Sequence, residues 1–244
     1  MSEQPEDLTK QPFMAHLIEF RDRALRALIS ILIIFAALFS FSQELYLYIS
    51  EPIREYLPAN TSMIATEVAS PFLTPFKLTL VLSLFAAMPY ILYQVWAFVA
   101  PGLYQREKKI VVPLFFSSVF LFYAGMAFAY YIVFPLVFMF FTSIAPEGIN
   151  VMPDIRSYLD FVLKLFFAFG LSFEIPIAVV ILSWMGAVDP DNLVKKRPYV
   201  FVLCFVLGML LTPPDIISQT LLAIPMWLLF EIGILFGRLV KPAD

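Results

Sequence analysis

The chain has 244 residues, of which 61% are hydrophobic and only 14% charged, with a mean hydropathy of +0.86. That balance lies far outside soluble usage and marks an integral membrane protein. The net charge of -3 is small and its carriers are scattered, which excludes a nucleic-acid binder, and the lone cysteine, Cys204, excludes an intrachain disulfide.

Residues 1–24 are acidic, then mixed, with no small-residue cleavage pattern after them, so no cleaved signal peptide is expected. Six apolar segments follow: Leu25 to Phe41, Leu78 to Ala100, Ile110 onward, Phe161 to Trp184, Tyr199 to Leu211, and about Ile216 to Phe236. A lipid-facing strand would alternate and leave its backbone unpaired, so each segment reads as a helix. The expected fold is all-α: one polytopic domain over 1–244 with six transmembrane helices, kinked and bowl-shaped, the last two short, and a tail at 237–244. No internal repeat is evident.

Twelve of the 16 basic residues precede or open the first segment, separate the second from the third and the fourth from the fifth, or follow the sixth. The positive-inside rule assigns that side, with both termini, to the cytoplasm. Glu44, Glu51, Glu55, Glu67, Glu147, Asp154, Asp160 and Asp215 fall on the opposite side. Ile110 to Pro146 is free of charge for 37 residues, about 55 Å as one helix against a hydrocarbon core of about 30 Å. It must tilt, break near Pro135 or emerge from the bilayer. Tyr199 to Leu211 is only 13 residues, about 20 Å, so this hairpin thins the membrane or sits behind other helices. Pro89, Pro135, Pro176 and Pro225 each remove a helical hydrogen bond and free a carbonyl for another partner.

Glu174 stands alone in KLFFAFGLSFEIPIAVVI, 14 residues past Asp160 and 10 before Trp184, near mid-depth. A charge there costs roughly 2.5 to 3.5 kcal/mol, so it must face protein or a wet cavity. Counting inward from Lys164 and Lys77 puts Gln94 at comparable depth, and an intramembrane polar site joining Glu174 and Gln94 is the expectation. Two further glutamates stand among bases: Glu19 in HLIEFRDR and Glu107 in YQREKKI. A carboxylate can take both arms of a guanidinium, which lysine cannot imitate. Local pairing, Glu19 with Arg23 at i,i+4 and Glu107 with its adjacent bases, is the simpler reading of the same residues. His16 and Glu19 gather no further metal ligands, Gly233 and Gly237 form a weak helix-packing GxxxG, and nothing marks a nucleophile, a phosphate loop or a cofactor site.

The stretches HLIEFRDR (16–23), MIATEVASPFLTPFKL (63–78), PYILYQVWAFVAPGLYQREKK (89–109), GMAFAYYIVFPL (125–136), FAFGLSFEIPIA (167–178) and KKRPYVFVLCFVLGMLLTPPDIISQTLLAIPM (195–226) together resemble the TatC family, the polytopic subunit of the twin-arginine protein translocase. The resemblance spans nearly the whole chain in order. It implies a non-enzymatic receptor in the bacterial inner membrane for twin-arginine signal peptides of folded cargo, self-associating and assembling with the single-span subunits TatA and TatB for export driven by the proton-motive force. Carried over by position, Glu19 and Glu107 form the acidic site, with Phe98 supporting it. Glu174 lines the concave intramembrane face; Pro52 and Phe72 fall in regions used structurally on the periplasmic side; and Met209, Thr212 and Gln219 belong to the partner-docking edge. Arg21 and Arg23 are split by Asp22, so the chain has no twin-arginine motif of its own. From the membrane acid alone, a proton-coupled secondary transporter with Glu174 as relay is the rival, and an intramembrane hydrolase is weaker because one acid lacks its catalytic partner.

Overall fold

The computed structural model describes residues 7–56, 62–99, 108–143, 152–211 and 216–240. Among them the chain is helical: α1 (Asp7–Leu38), α2 (Ser42–Ile49), α3 (Glu51–Tyr56), α4 (Ser70–Ala86), α5 (Met88–Val99), α6 (Lys108–Phe128), α7 (Phe134–Ser143), α8 (Ile155–Ser172), α9 (Ile175–Trp184), α10 (Pro190–Lys195), α11 (Arg197–Leu211) and α12 (Ile216–Val240). Among the described residues the one β-type contact is an isolated parallel bridge between Ile64 and Asp154, and four stretches are long and apolar enough to cross a bilayer: His16–Arg54, Val112–Ser143, Ile155–Trp184 and Ile216–Leu239. The pair α4 and α5, bent by 48°, supplies a fifth, and α11 is a shorter apolar helix. The chain is thus a multi-pass membrane protein.

The breaks fall where proline removes a donor. Pro89 cannot bond the carbonyl of Phe85, four residues back, and Tyr123 Oη donates to that carbonyl at 3.0 Å. Pro52 likewise leaves the Tyr48 carbonyl, which accepts from Tyr130 Oη at 3.0 Å. Ahead of Pro135 the helix widens into a π turn over Ala129–Val133, with Phe134 N–H donating to the Ala129 carbonyl five residues back. The long charge-free segment therefore widens just before Pro135 and continues as one span. Between α8 and α9 the chain turns at Phe173 and Glu174, with Pro176 in the first turn beyond. The last two helices differ from the expectation in one respect: α11 has 15 residues, but α12 has 25 and is long enough to span. Pro225 does not end α12, because a membrane helix can tolerate an internal proline when neighbours satisfy the freed backbone groups.

Packing in lipid depends on close fit rather than on exclusion of water. Phe85 meets Phe122 and Phe166 at ring distances of 5.9 and 6.0 Å, and Phe134 meets Phe166 at 5.2 Å, knitting α4, α6, α7 and α8. A Cβ on Gly125 would lie 2.5 Å from the Phe169 carbonyl oxygen, so glycine is what lets α6 approach α8. The GxxxG pair packs α12 on α9: a Cβ on Gly233 would lie 3.1 Å from Pro176 Cα, and one on Gly237 3.0 Å from Ser183 Oγ.

The two ends of the bundle are built differently. At the distal end Asp154 caps α8, its carboxylate accepting from Ser157 N–H at 3.0 Å and from the Thr66 amide and hydroxyl at 3.1 and 3.0 Å. These donors, Ser157 N–H foremost, hold the Asp154 carboxyl down to about 2. Glu67 pairs with Arg156, Lys77 with Asp160 at 2.6 Å, and Tyr158 Oη donates to the Ile49 carbonyl at 2.8 Å. Each joins elements far apart in sequence.

Candidate functional site

The opposite end gathers around Glu19 on α1. Arg23, one turn on, donates to a single carboxylate oxygen, Glu19 Oε1, through Nη2 at 2.6 Å and Nε at 3.0 Å. Its remaining arm, Nη1, reaches Gln94 Oε1 on α5 at 3.3 Å. Glu19 Oε2 has His16 Nδ1 at 3.9 Å, beyond hydrogen-bond range. The α5 ring of Phe98 stacks on His16 at 4.2 Å and meets Phe20 edge-on at 5.7 Å. Sequence spacing explains the arrangement: residues 16, 19, 20 and 23 share one face of a helix, and α5 lays Gln94 and Phe98, also i,i+4, against it. The result is a half-exposed carboxylate with one oxygen spoken for, flanked by aromatic rings. Such a group can accept a further guanidinium on its second oxygen while a ring supports the planar cation.

Glu19 and Phe98 are therefore brought together, and the i,i+4 pair of Glu19 with Arg23 forms as the spacing allows. Glu107 and Thr212 lie outside the described residues. The expected partnership of Glu174 with Gln94 is not formed: Gln94 is buried against Arg23, whereas Glu174 Oε2 accepts from Ser118 Oγ of α6 at 2.5 Å. Depth along two helices says nothing of azimuth, and α5 packs on α1 and α6 while α9 packs chiefly on α12. Glu174 Oε1 is buried with no hydrogen-bond partner among the described residues. Pro52 is buried in α3, next to the Tyr48 turn. Phe72, 66% exposed, lies beside Phe76 on the outward side of α4. Met209 is half exposed on α11, and the Gln219 backbone passes close to Gly208, where a Cβ would lie 3.3 Å from its carbonyl oxygen.

Sequence reading missed two contributors. Ser118 completes the polar contact of Glu174, and no local pattern announces it, since it acts across helices. Glu231 was legible, an acid in IPMWLLFEIGILF within a span, and it pairs with Arg197 at the start of α11. That pair and Arg238 with Asp191, at 2.8 Å, tie α12 to α11 and α10. No cluster of three or more metal-ligating side chains occurs among the described residues.

The family model described as Sec-independent protein translocase protein (TatC) matches residues 15–225. The chain belongs to the TatC family. It is 60% identical over 241 residues to the Sec-independent protein translocase protein TatC of Azotobacter chroococcum mcd 1, covering 99% of this chain and 94% of that one. The protein of the same description from Escherichia coli (strain K12) is 58% identical, with 93% and 88% covered. A crystal structure of a twin arginine translocase receptor, TatC, superposes with a TM-score of 0.83 at 36% identity, over 92% of this chain and 99% of that one. The chain is accordingly a component of a protein translocase, a transport protein and not an enzyme.

Proposed function

We propose that the chain is the receptor subunit of the twin-arginine translocase, reading paired arginines of signal peptides at the Glu19 end and assembling with TatA and TatB for export of folded proteins driven by the proton-motive force. The observation that carries this reading is the Glu19 carboxylate, held by Arg23 on one oxygen, with His16 near the other and Phe98 stacked on His16. An incoming guanidinium completes the acid's bonding, and a second is taken by Glu107. Discrimination follows from geometry, because lysine offers a point charge where the site presents a planar acceptor beside an aromatic face. This end is cytoplasmic, with both termini, in an inner-membrane protein. The α11 edge carrying Met209, with Thr212 and Gln219 beyond it, docks the single-span subunits, and Glu174 faces the signal peptide's apolar part or those helices.

The test is binding of a fluorescent twin-arginine peptide to the purified chain, beside a twin-lysine control. The unmodified chain prefers the arginine peptide, and Glu107→Ala loses that preference while still binding the lysine peptide weakly. Equal affinity of the unmodified chain for both peptides would overturn the receptor reading. A photocrosslinker at position 107 in native membranes, expected to capture the signal peptide, checks the site itself.

A further inference from the structure

At the distal end two hollows adjoin across the Lys77 and Asp160 ion pair, which lines both. One is a polar recess of about 250 Å³ walled by Glu67, Arg156, Lys77 and Asp160. Thr74 also lines it, and its buried hydroxyl has no hydrogen-bond partner among the described residues. The other is an apolar groove of about 720 Å³, a size typical of ligand sites, with Leu163, Phe167 and Leu171 of α8 on one wall and Leu207 and Leu210 of α11 on the other. Lys164 stands on the groove's rim, exposed and without a carboxylate partner among the described residues. It lies nine residues into α8, about 14 Å below the helix start, where an ammonium needs a counter-charge.

Charge and shape point to one occupant. A transmembrane helix would bring apolar side chains to a rim of two lysines and an aspartate. A phospholipid brings its phosphate and headgroup at the depth of the rim and a hydrocarbon chain at the depth of the groove. The recess is balanced, two carboxylates against two cations, which suits a zwitterionic headgroup better than an anionic one, while Lys164 remains for the phosphate. We propose that recess and groove form one site for a single amine-bearing phospholipid of the distal leaflet, its phosphate on Lys164 and Lys77, its ammonium toward Asp160 and Glu67, and one acyl chain between α8 and α11.

Native mass spectrometry of the full chain in detergent, with added phosphatidylethanolamine or phosphatidylglycerol, tests this. The unmodified chain should retain one phosphatidylethanolamine, about fivefold or more over phosphatidylglycerol. Lys164→Gln and, separately, Leu210→Trp, which fills the groove, should each cut retention by a similar factor with an unchanged melting midpoint, while Lys164→Arg keeps it. Retention unaffected by either variant, or competition by soluble glycerophosphoethanolamine as effective as by the lipid, would overturn the site, as would equal retention of the two lipids. A photoreactive residue at 210 in native membranes should label lipid; a protein adduct there instead would show that a helix fills the groove.

Discussion

At the distal end the ion pairs and the Asp154 carboxylate reach between segments far apart in sequence: Asp154, besides capping α8, to Thr66, Glu67 to Arg156, Lys77 to Asp160. Around Glu19 itself the main ion pair closes within a single turn of α1, and the weaker Arg23 to Gln94 bond reaches α5, while elsewhere Arg197 with Glu231 and Arg238 with Asp191 tie α12 to α11 and α10. The first pattern holds a shape, because breaking any contact separates elements. The second holds a side chain ready, because a local pair can be supplemented or exchanged without moving a helix. The distal ties and the Glu19 pair thus differ in reach, and the receptor role proposed above rests on the local one.

The sharpest way to break that contrast is the double variant Glu19→Ala, Glu107→Ala. Loss of two charge-assisted contacts, each about 1.5 kcal/mol or more, should weaken twin-arginine peptide binding by about 100-fold or more, with the melting midpoint unmoved. A large fall in the midpoint would mean that this end, too, is structural. Next, Tyr158→Phe leaves the Ile49 carbonyl buried and unpaired and should cost about 1 to 3 kcal/mol in denaturant unfolding, with peptide binding intact.

Asp154→Ala removes a helix cap and the Thr66 tie, an effect of about 1 kcal/mol. Its pH dependence has a definite sign. A carboxyl held at about 2, below its ordinary 3.8, stabilises the fold wherever it is ionised, so the contribution is full above about pH 4 and fades as pH falls toward 2. Hydrogen exchange at the Ser157 amide should therefore quicken between about pH 4 and 2 beyond its intrinsic trend in the parent chain, and show no such inflection in the variant. Smallest of all, Arg156→Gln removes an ion pair whose partners are both more than half exposed and should shift the midpoint by no more than about 1 kcal/mol. A larger cost would show that the distal contacts act as a network.

Much of this architecture is already legible along the chain. Apolar runs, the clustering of Lys and Arg, and prolines at 89, 135 and 176 mark the order of spans and where the helices break or widen, because backbone satisfaction in lipid and the loss of an N–H are local matters, although Pro225, read the same way, lies within an unbroken α12. The acid at 19 and its arginine four residues on are local too. What only the tertiary structure decided is who faces whom: Gln94 turned to Arg23 and not to Glu174, Glu174 to Ser118, Tyr123 and Tyr130 to the carbonyls that Pro89 and Pro52 released, and Glu231 to Arg197. Those pairings depend on helix rotation and on the close approaches that Gly125, Gly233 and Gly237 permit, quantities set by packing among distant segments and carried by no window of sequence.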